Sequence, residues 1–197
     1  MNFKIKEKLL LFIIICIPSI SFSIEPKNFI QTTVDEASSI LSEQITDEKK
    51  IEKLKSLAIN TVDVKGIGFY TLGKHRKDIT DDQKKRYSEL FEGYFLKSFS
   101  SRLVEYTDPQ IDVISQEVLN KNYTIVNSTL KGTDQRPEIK IDWRVYTKNP
   151  DKPLIRDLII EGLSLARTQK EEFSSIINSN DGNINALFET LQKFAEK

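Results

Sequence analysis

The chain is poor in the residues that reaction chemistry depends on. Its 197 residues include 1 cysteine and 1 histidine. Cys16 falls within an N-terminal leader, so the mature chain has no cysteine. That excludes a disulfide, a thiolate nucleophile and a cysteine metal site. His75 lies in Gly73-Lys74-His75-Arg76-Lys77, where its cationic neighbours repel a metal ion. No second histidine exists to build a metal site or a relay, so an exposed or interface histidine is expected. No Gly-x-Ser-x-Gly elbow is present, and Gly66-x-Gly68 lacks the third glycine and the strand–helix setting of a phosphate loop. Internal repeats, low-complexity tracts and Gly/Ser linkers are also missing. So is any surplus of positive charge: 29 basic residues face 29 acidic ones. Removing Lys4, Lys6, Lys8 and Glu7 with the leader leaves 26 against 28, a net charge of −2. That argues against a nucleic-acid binder.

The leader follows the export pattern. Lys4, Lys6 and Lys8 precede an apolar run from Leu9 to Ile17, too short to cross a bilayer comfortably. Ser21-Phe22-Ser23 places small residues at the two positions a signal peptidase reads, so cleavage is expected after Ser23. Residues 1–23 form the signal peptide and residues 24–197 a single domain with a sizeable core. Export without cysteine suits a bacterial periplasm.

Periodicity supplies the architecture. Pro26 to Leu41 and a segment opened by Asp47 read as helices. Around Gly66, Gly68 and Gly73 the pattern shortens to a small helix or a loop. The clearest segment is Thr80 to Tyr106. Tyr87, Leu90, Phe91, Tyr94, Phe95, Phe99, Leu103 and Tyr106 recur at about 3.6 residues per turn, which predicts a long helix with a wide aromatic stripe. Thr80 and Gln83 form a capping box at its start. After Pro109 the period drops to two. Ile111 to Val118, Asn122 to Lys131, Pro137 to Lys148 and Leu154 to Glu161 read as strands of an antiparallel meander. In the third, Ile139, Ile141, Trp143 and Val145 share one face; Lys140, Asp142, Arg144 and Tyr146 share the other. Leu165 to Asn178 and a segment beginning at Ile184 return to helix. The fold class is α+β: a four-stranded antiparallel sheet with N- and C-terminal helices covering one face.

Two polar features remain. Asp157 and Glu161, four apart on the fourth strand, are expected on one face beside Arg144 and Lys140, as a solvated, salt-bridged surface. A glycosidase would need such a pair facing across a cleft. The basic cluster from Lys74 to Lys77, with Lys84 to Arg86 nearby, suits an acidic partner, lipid headgroups or a plain soluble face.

Two stretches carry a resemblance. One is Leu72-Gly73 through the long helix, with Gln83, Phe91, Phe99, Leu103 and Tyr106. The other is Asp157-Leu158-Ile159-Ile160-Glu161-Gly162-Leu163-Ser164-Leu165, with Phe173 eight residues on. With Asp63-Val64 and the stretch from Gly182 to Leu191, this co-linear set resembles the MlaC family of periplasmic phospholipid-binding proteins, from about Pro26 to Lys193. The chain departs at Arg76 and Pro153, where members often have tryptophan, and at Gln169-Lys170, where Tyr-Arg is common. The resemblance implies a curved sheet around an apolar cavity for acyl chains. It implies no catalysis, and no cofactor beyond phospholipid as cargo. It also implies a monomer that meets an inner-membrane ABC transporter complex and an outer-membrane lipoprotein complex.

That role suits the composition. Exposing about thirty CH₂ groups of a diacyl lipid at roughly 0.8 kcal/mol each costs on the order of 20 kcal/mol, so a carrier needs an apolar cavity and no reactive groups. The candidate lining is Leu72, Phe91, Tyr94, Phe95 and Phe99, then Val126, Ile139, Ile141, Trp143, Leu158, Ile160 and Leu163 from the sheet. Phe173 and Leu187 close it. The alternatives are an envelope interaction module with the same fold and a filled core, and a hydrolase using Asp157 and Glu161.

Overall fold

The computed structural model describes residues 23–106, 108–134 and 136–196. The leader therefore lies outside the described residues, apart from Ser23. Helix α1 (Pro26–Ser42) starts on a proline, whose missing N–H is no loss in the first turn. Helix α2 (Asp47–Thr61) carries Asp47 and Glu48 in its first turn, where the helix dipole favours negative charge. The glycine-rich segment is a true helix, α3 (Val64–Thr71), because Asp63 caps it by accepting from the Gly66 N–H at 2.8 Å. A 3-10 turn, Gly73–Lys77, leads on to α4 (Asp81–Leu103). The Thr80–Gln83 capping box is present as expected. The helix stops at Leu103, a turn earlier than its apolar spacing reaches, shortly before the chain takes Asp108 to φ +50° ahead of Pro109.

Gly68 explains how α3 reaches α4. A Cβ at this position would lie 2.8 Å from Cδ1 of Phe91. The two backbones approach this closely only because position 68 has no side chain.

The sheet is an antiparallel meander in the order β1 (Ile111–Asn120), β2 (Tyr123–Leu130), β3 (Ile139–Tyr146), β4 (Leu154–Ile160) and β5 (Leu163–Ser164). The expected four strands become five. Glu161 and Gly162 both take positive φ, +48° and +83°, and form a two-residue hairpin turn that folds Leu163 back against Ile160. Helices α5 (Leu165–Asn178) and α6 (Ile184–Glu196) complete the chain. Ile30, Val34, Tyr87, Phe91, Val126, Val145, Phe173 and Phe188 belong to one main core; Ile40, Leu41, Leu54 and Leu57 form a smaller one beneath α1 and α2. Among the described residues no helix is long and apolar enough to cross a membrane.

Candidate apolar site

The aromatic stripe of α4 is continuous. Tyr87 and Phe91 are 5.7 Å apart between ring centroids, Phe91 and Phe95 6.1 Å, and Phe95 and Phe99 5.8 Å with rings nearly parallel. Phe173 of α5 meets both Phe91 and Tyr94 edge-on. Burial falls along this ladder. Tyr87 and Phe91 are buried, whereas Tyr94, Phe95 and Phe99 are half-buried. At the buried end the Tyr87 hydroxyl lies 2.8 Å from Thr71 Oγ1 and 3.1 Å from the Gly68 carbonyl. Burial raises its pKa well above the ordinary tyrosine value. Tyr94 donates to Gln169 Oε1 at 2.8 Å, and burial, with Glu172 nearby, raises its pKa as well.

The apolar sheet surface is set by register. Val126 pairs with Trp143 and Trp143 with Leu158; one step along, Ser128 pairs with Ile141 and Ile141 with Ile160. Trp143 has its N–H satisfied by Ser128 Oγ at 2.8 Å, and Ser128 donates in turn to the Ile141 carbonyl. The tryptophan is thus held within its own sheet.

Of the candidate lining residues, Leu72, Phe91, Val126, Phe173 and Leu187 are buried in the main core. Tyr94, Phe95, Phe99, Ile139, Ile141, Trp143, Leu158 and Ile160 are half-buried, so helix and sheet both present apolar surface that the fold leaves partly uncovered. Helix α4 packs chiefly on α2, α3 and α6 rather than on the strands. Leu163 stands apart, 58% exposed on the β4–β5 turn.

A cleft of about 620 Å³ lies elsewhere and contains none of these residues. Its walls are Ile67, Phe69 and Tyr70 of α3, Leu119 and Tyr123 of the β1–β2 hairpin, Ala166 of α5, and Arg76, Arg144 and Arg156. The three arginines are distant in sequence, and only the strict alternation of β3, which turns Arg144 away from Trp143, hinted at the grouping. The volume falls inside the ordinary small-ligand range of about 300–1,000 Å³.

The polar pair differs from expectation. Asp157 does meet Arg144, at 3.3 Å, but it is buried rather than solvated, at 3% exposure. The first turn of α5 covers it: Ser164 Oγ donates to Asp157 Oδ2 at 2.6 Å and the Ala166 N–H to Oδ1 at 3.0 Å. Both of its oxygens anchor a helix start, where negative charge is favoured. Glu161 has left the strand for the hairpin turn and is exposed. The two carboxylates therefore do not face each other across a cleft. His75 is half-buried, with Nε2 buried and unpartnered among the described residues. No cluster of His, Cys, Asp or Glu suited to a metal occurs among the described residues.

The family model described as MlaC protein matches residues 31–193. The chain belongs to the MlaC family. A phospholipid-binding protein from Ralstonia solanacearum, solved in complex with a phospholipid, has the same fold. It superposes with a TM-score of 0.73 at 18% identity, over 88% of this chain and 98% of that one. No curated protein matches the chain. Family membership agrees with the co-linear residues from Leu72 to Phe173, and the shared fold agrees with helices set on an antiparallel sheet.

Proposed function

We propose that this protein is a non-enzymatic phospholipid carrier of the periplasm. Residues 1–23 direct export, and residues 24–197 form the single lipid-binding domain. Acyl chains lie between α4 and the sheet, against Tyr94, Phe95, Phe99, Ile139, Ile141, Trp143, Leu158 and Ile160. Leu72, Phe91, Val126, Phe173 and Leu187 back this wall, and Leu163 stands at its rim. The carrier moves lipid, as a monomer, between an outer-membrane lipoprotein complex and an inner-membrane ABC transporter complex. The observation that carries the reading is the pair of half-buried apolar surfaces, on α4 and on β3–β4, in a chain of this family. The fold shared with a phospholipid-bound protein supports it further. Apolar area left open on both elements forgoes the roughly 25 cal/mol per Å² that closure would gain. Cargo recovers that energy.

One observation favours a rival, the envelope module with a filled core: five of the fourteen candidates are completely buried. Ile160→Glu separates the two readings. In a carrier the variant stays folded and loses bound phospholipid, because its new carboxylate enters space meant for acyl chains. In a filled core it unfolds the domain.

A further inference from the structure

The arginine-walled cleft shares no residue with the proposed acyl surface. Arg144 and Trp143 are neighbours on β3 and point to opposite faces, so the cleft holding Arg144 lies across the sheet from the Trp143 surface. Three arginines line the cleft, and no carboxylate does. Behind the wall, two aspartates offset part of this charge. Arg156 is fully engaged. Its Nε and Nη2 each lie 2.6 Å from Asp63 Oδ2, Nη1 donates to the Tyr123 hydroxyl at 2.7 Å, and its Cζ sits 3.7 Å from the Tyr146 ring centroid. Arg144 makes one contact with Asp157, at the oxygen that also accepts from Ser164, and its side chain is 36% exposed. The Arg76 guanidinium is exposed and has no partner among the described residues. It stands in the 3-10 turn with Lys74 and Lys77, which add positive potential. Arg156 thus shapes the wall, while Arg76 and Arg144 keep donors for a ligand.

We propose that this cleft binds the phosphate of an amphiphile. Arg76 and Arg144 hold the phosphate oxygens, and Ile67, Phe69 and Leu119 receive the apolar part next to it. A guanidinium fork matches a phosphate in geometry and stays charged at every physiological pH. The volume of about 620 Å³ suits a headgroup and the start of a chain rather than a whole diacyl lipid. The cleft is a second site, separate from the acyl surface, and only the lipid source of its phosphate rests on the carrier reading.

Isothermal titration of the full mature protein with dihexanoylphosphatidate, dihexanoylglycerol and glycerol 3-phosphate tests it. The phosphatidate is expected to bind, and the phosphate-free diglyceride to bind at least tenfold more weakly. Arg76→Gln, a change at an exposed and unpaired side chain, is expected to weaken phosphatidate binding about tenfold, the loss of one charged hydrogen-bonding group. Arg144→Gln is expected to act likewise, with its melting temperature measured alongside. Glycerol 3-phosphate binding as tightly as the lipid, and depending on Arg76, supports the arginine site and makes its ligand a soluble phosphate ester. Phosphatidate binding that ignores Arg76→Gln, or no phosphate binding by the folded wild type, overturns the proposal. If the protein purifies with phospholipid yet ignores both substitutions, this inference fails and the carrier reading stands. Arginine-dependent phosphate binding by a protein that purifies free of lipid supports this inference and counts against the carrier.

Discussion

Replacing Asp157 with alanine separates a structural carboxylate from a catalytic one. The wild-type side chain accepts from Ser164 Oγ and from the Ala166 N–H and sits 3.3 Å from Arg144. Alanine leaves a buried hydroxyl and a backbone N–H without their acceptor. Hydrogen bonds to a charged group contribute about 1.5–3 kcal/mol each. The Arg144 contact adds little, because that guanidinium is one-third exposed and screened by water. The expected destabilisation is about 3–5 kcal/mol, a large part of the roughly 5–15 kcal/mol that holds a domain folded. In a domain of this length each kcal/mol moves the melting midpoint by about 2–4 °C, so a drop of about 6–20 °C is expected. Circular dichroism against temperature and Trp143 fluorescence against urea both read it. Glu161→Ala is the control; its side chain is exposed and gives up one hydrogen bond, from the Lys140 N–H, which predicts a loss of about 0.5–1.5 kcal/mol. Equal, small shifts for both variants would refute the argument. Loss of function with unchanged stability at Asp157 would restore a chemical role.

Three further outcomes follow from the packing. Gly68→Ala places a methyl group 2.8 Å from Phe91 and should destabilise the domain by about 1–2 kcal/mol, after the gain in helix propensity is set against the overpacking; a stabilised variant in urea unfolding would show that the α3–α4 contact is looser. The raised pKa of buried Tyr87 gives stability that is complete below the unfolded tyrosine value of about 10 and is lost as pH rises above it, because the unfolded chain ionises first. The alkaline fall in melting temperature should therefore be shallower in Tyr87→Phe than in wild type, and parallel curves would contradict this. Phe99→Ala should cost less stability than the roughly 3–5 kcal/mol of a fully buried phenylalanine while lowering the phospholipid retained on purification; full core-type destabilisation with unchanged lipid would place Phe99 in the core.

The helices were legible wherever a cap and a period coincided. Thr80 and Gln83 marked the start of α4, and Leu165 to Asn178 was bounded correctly because Ser164 caps one end and the Asp181-Gly182 break closes the other. The strands were legible from alternation, clearest on β3. The short β5 was hidden because its two residues follow a positive-φ turn that looks like a strand end. Burial of Asp157 was invisible for a different reason: alternation assigns a residue to a face and cannot say that the next helix will fold its first turn over that face. Beyond the alternation of β3 the arginine cleft had no local signal, since Arg76, Arg144 and Arg156 meet only through tertiary structure. Which half-buried residues touch cargo is a matter of uncovered area, and the hydrophobic period is the same for a wall and for a core.

Lipid extracted from protein purified without detergent, identified and counted by mass spectrometry, tests the carrier reading most directly. Phospholipid is expected in stoichiometric amount, and in reduced amount in Ile160→Glu, which remains folded. Wild-type protein that carries no phospholipid and takes up none from vesicles would contradict it.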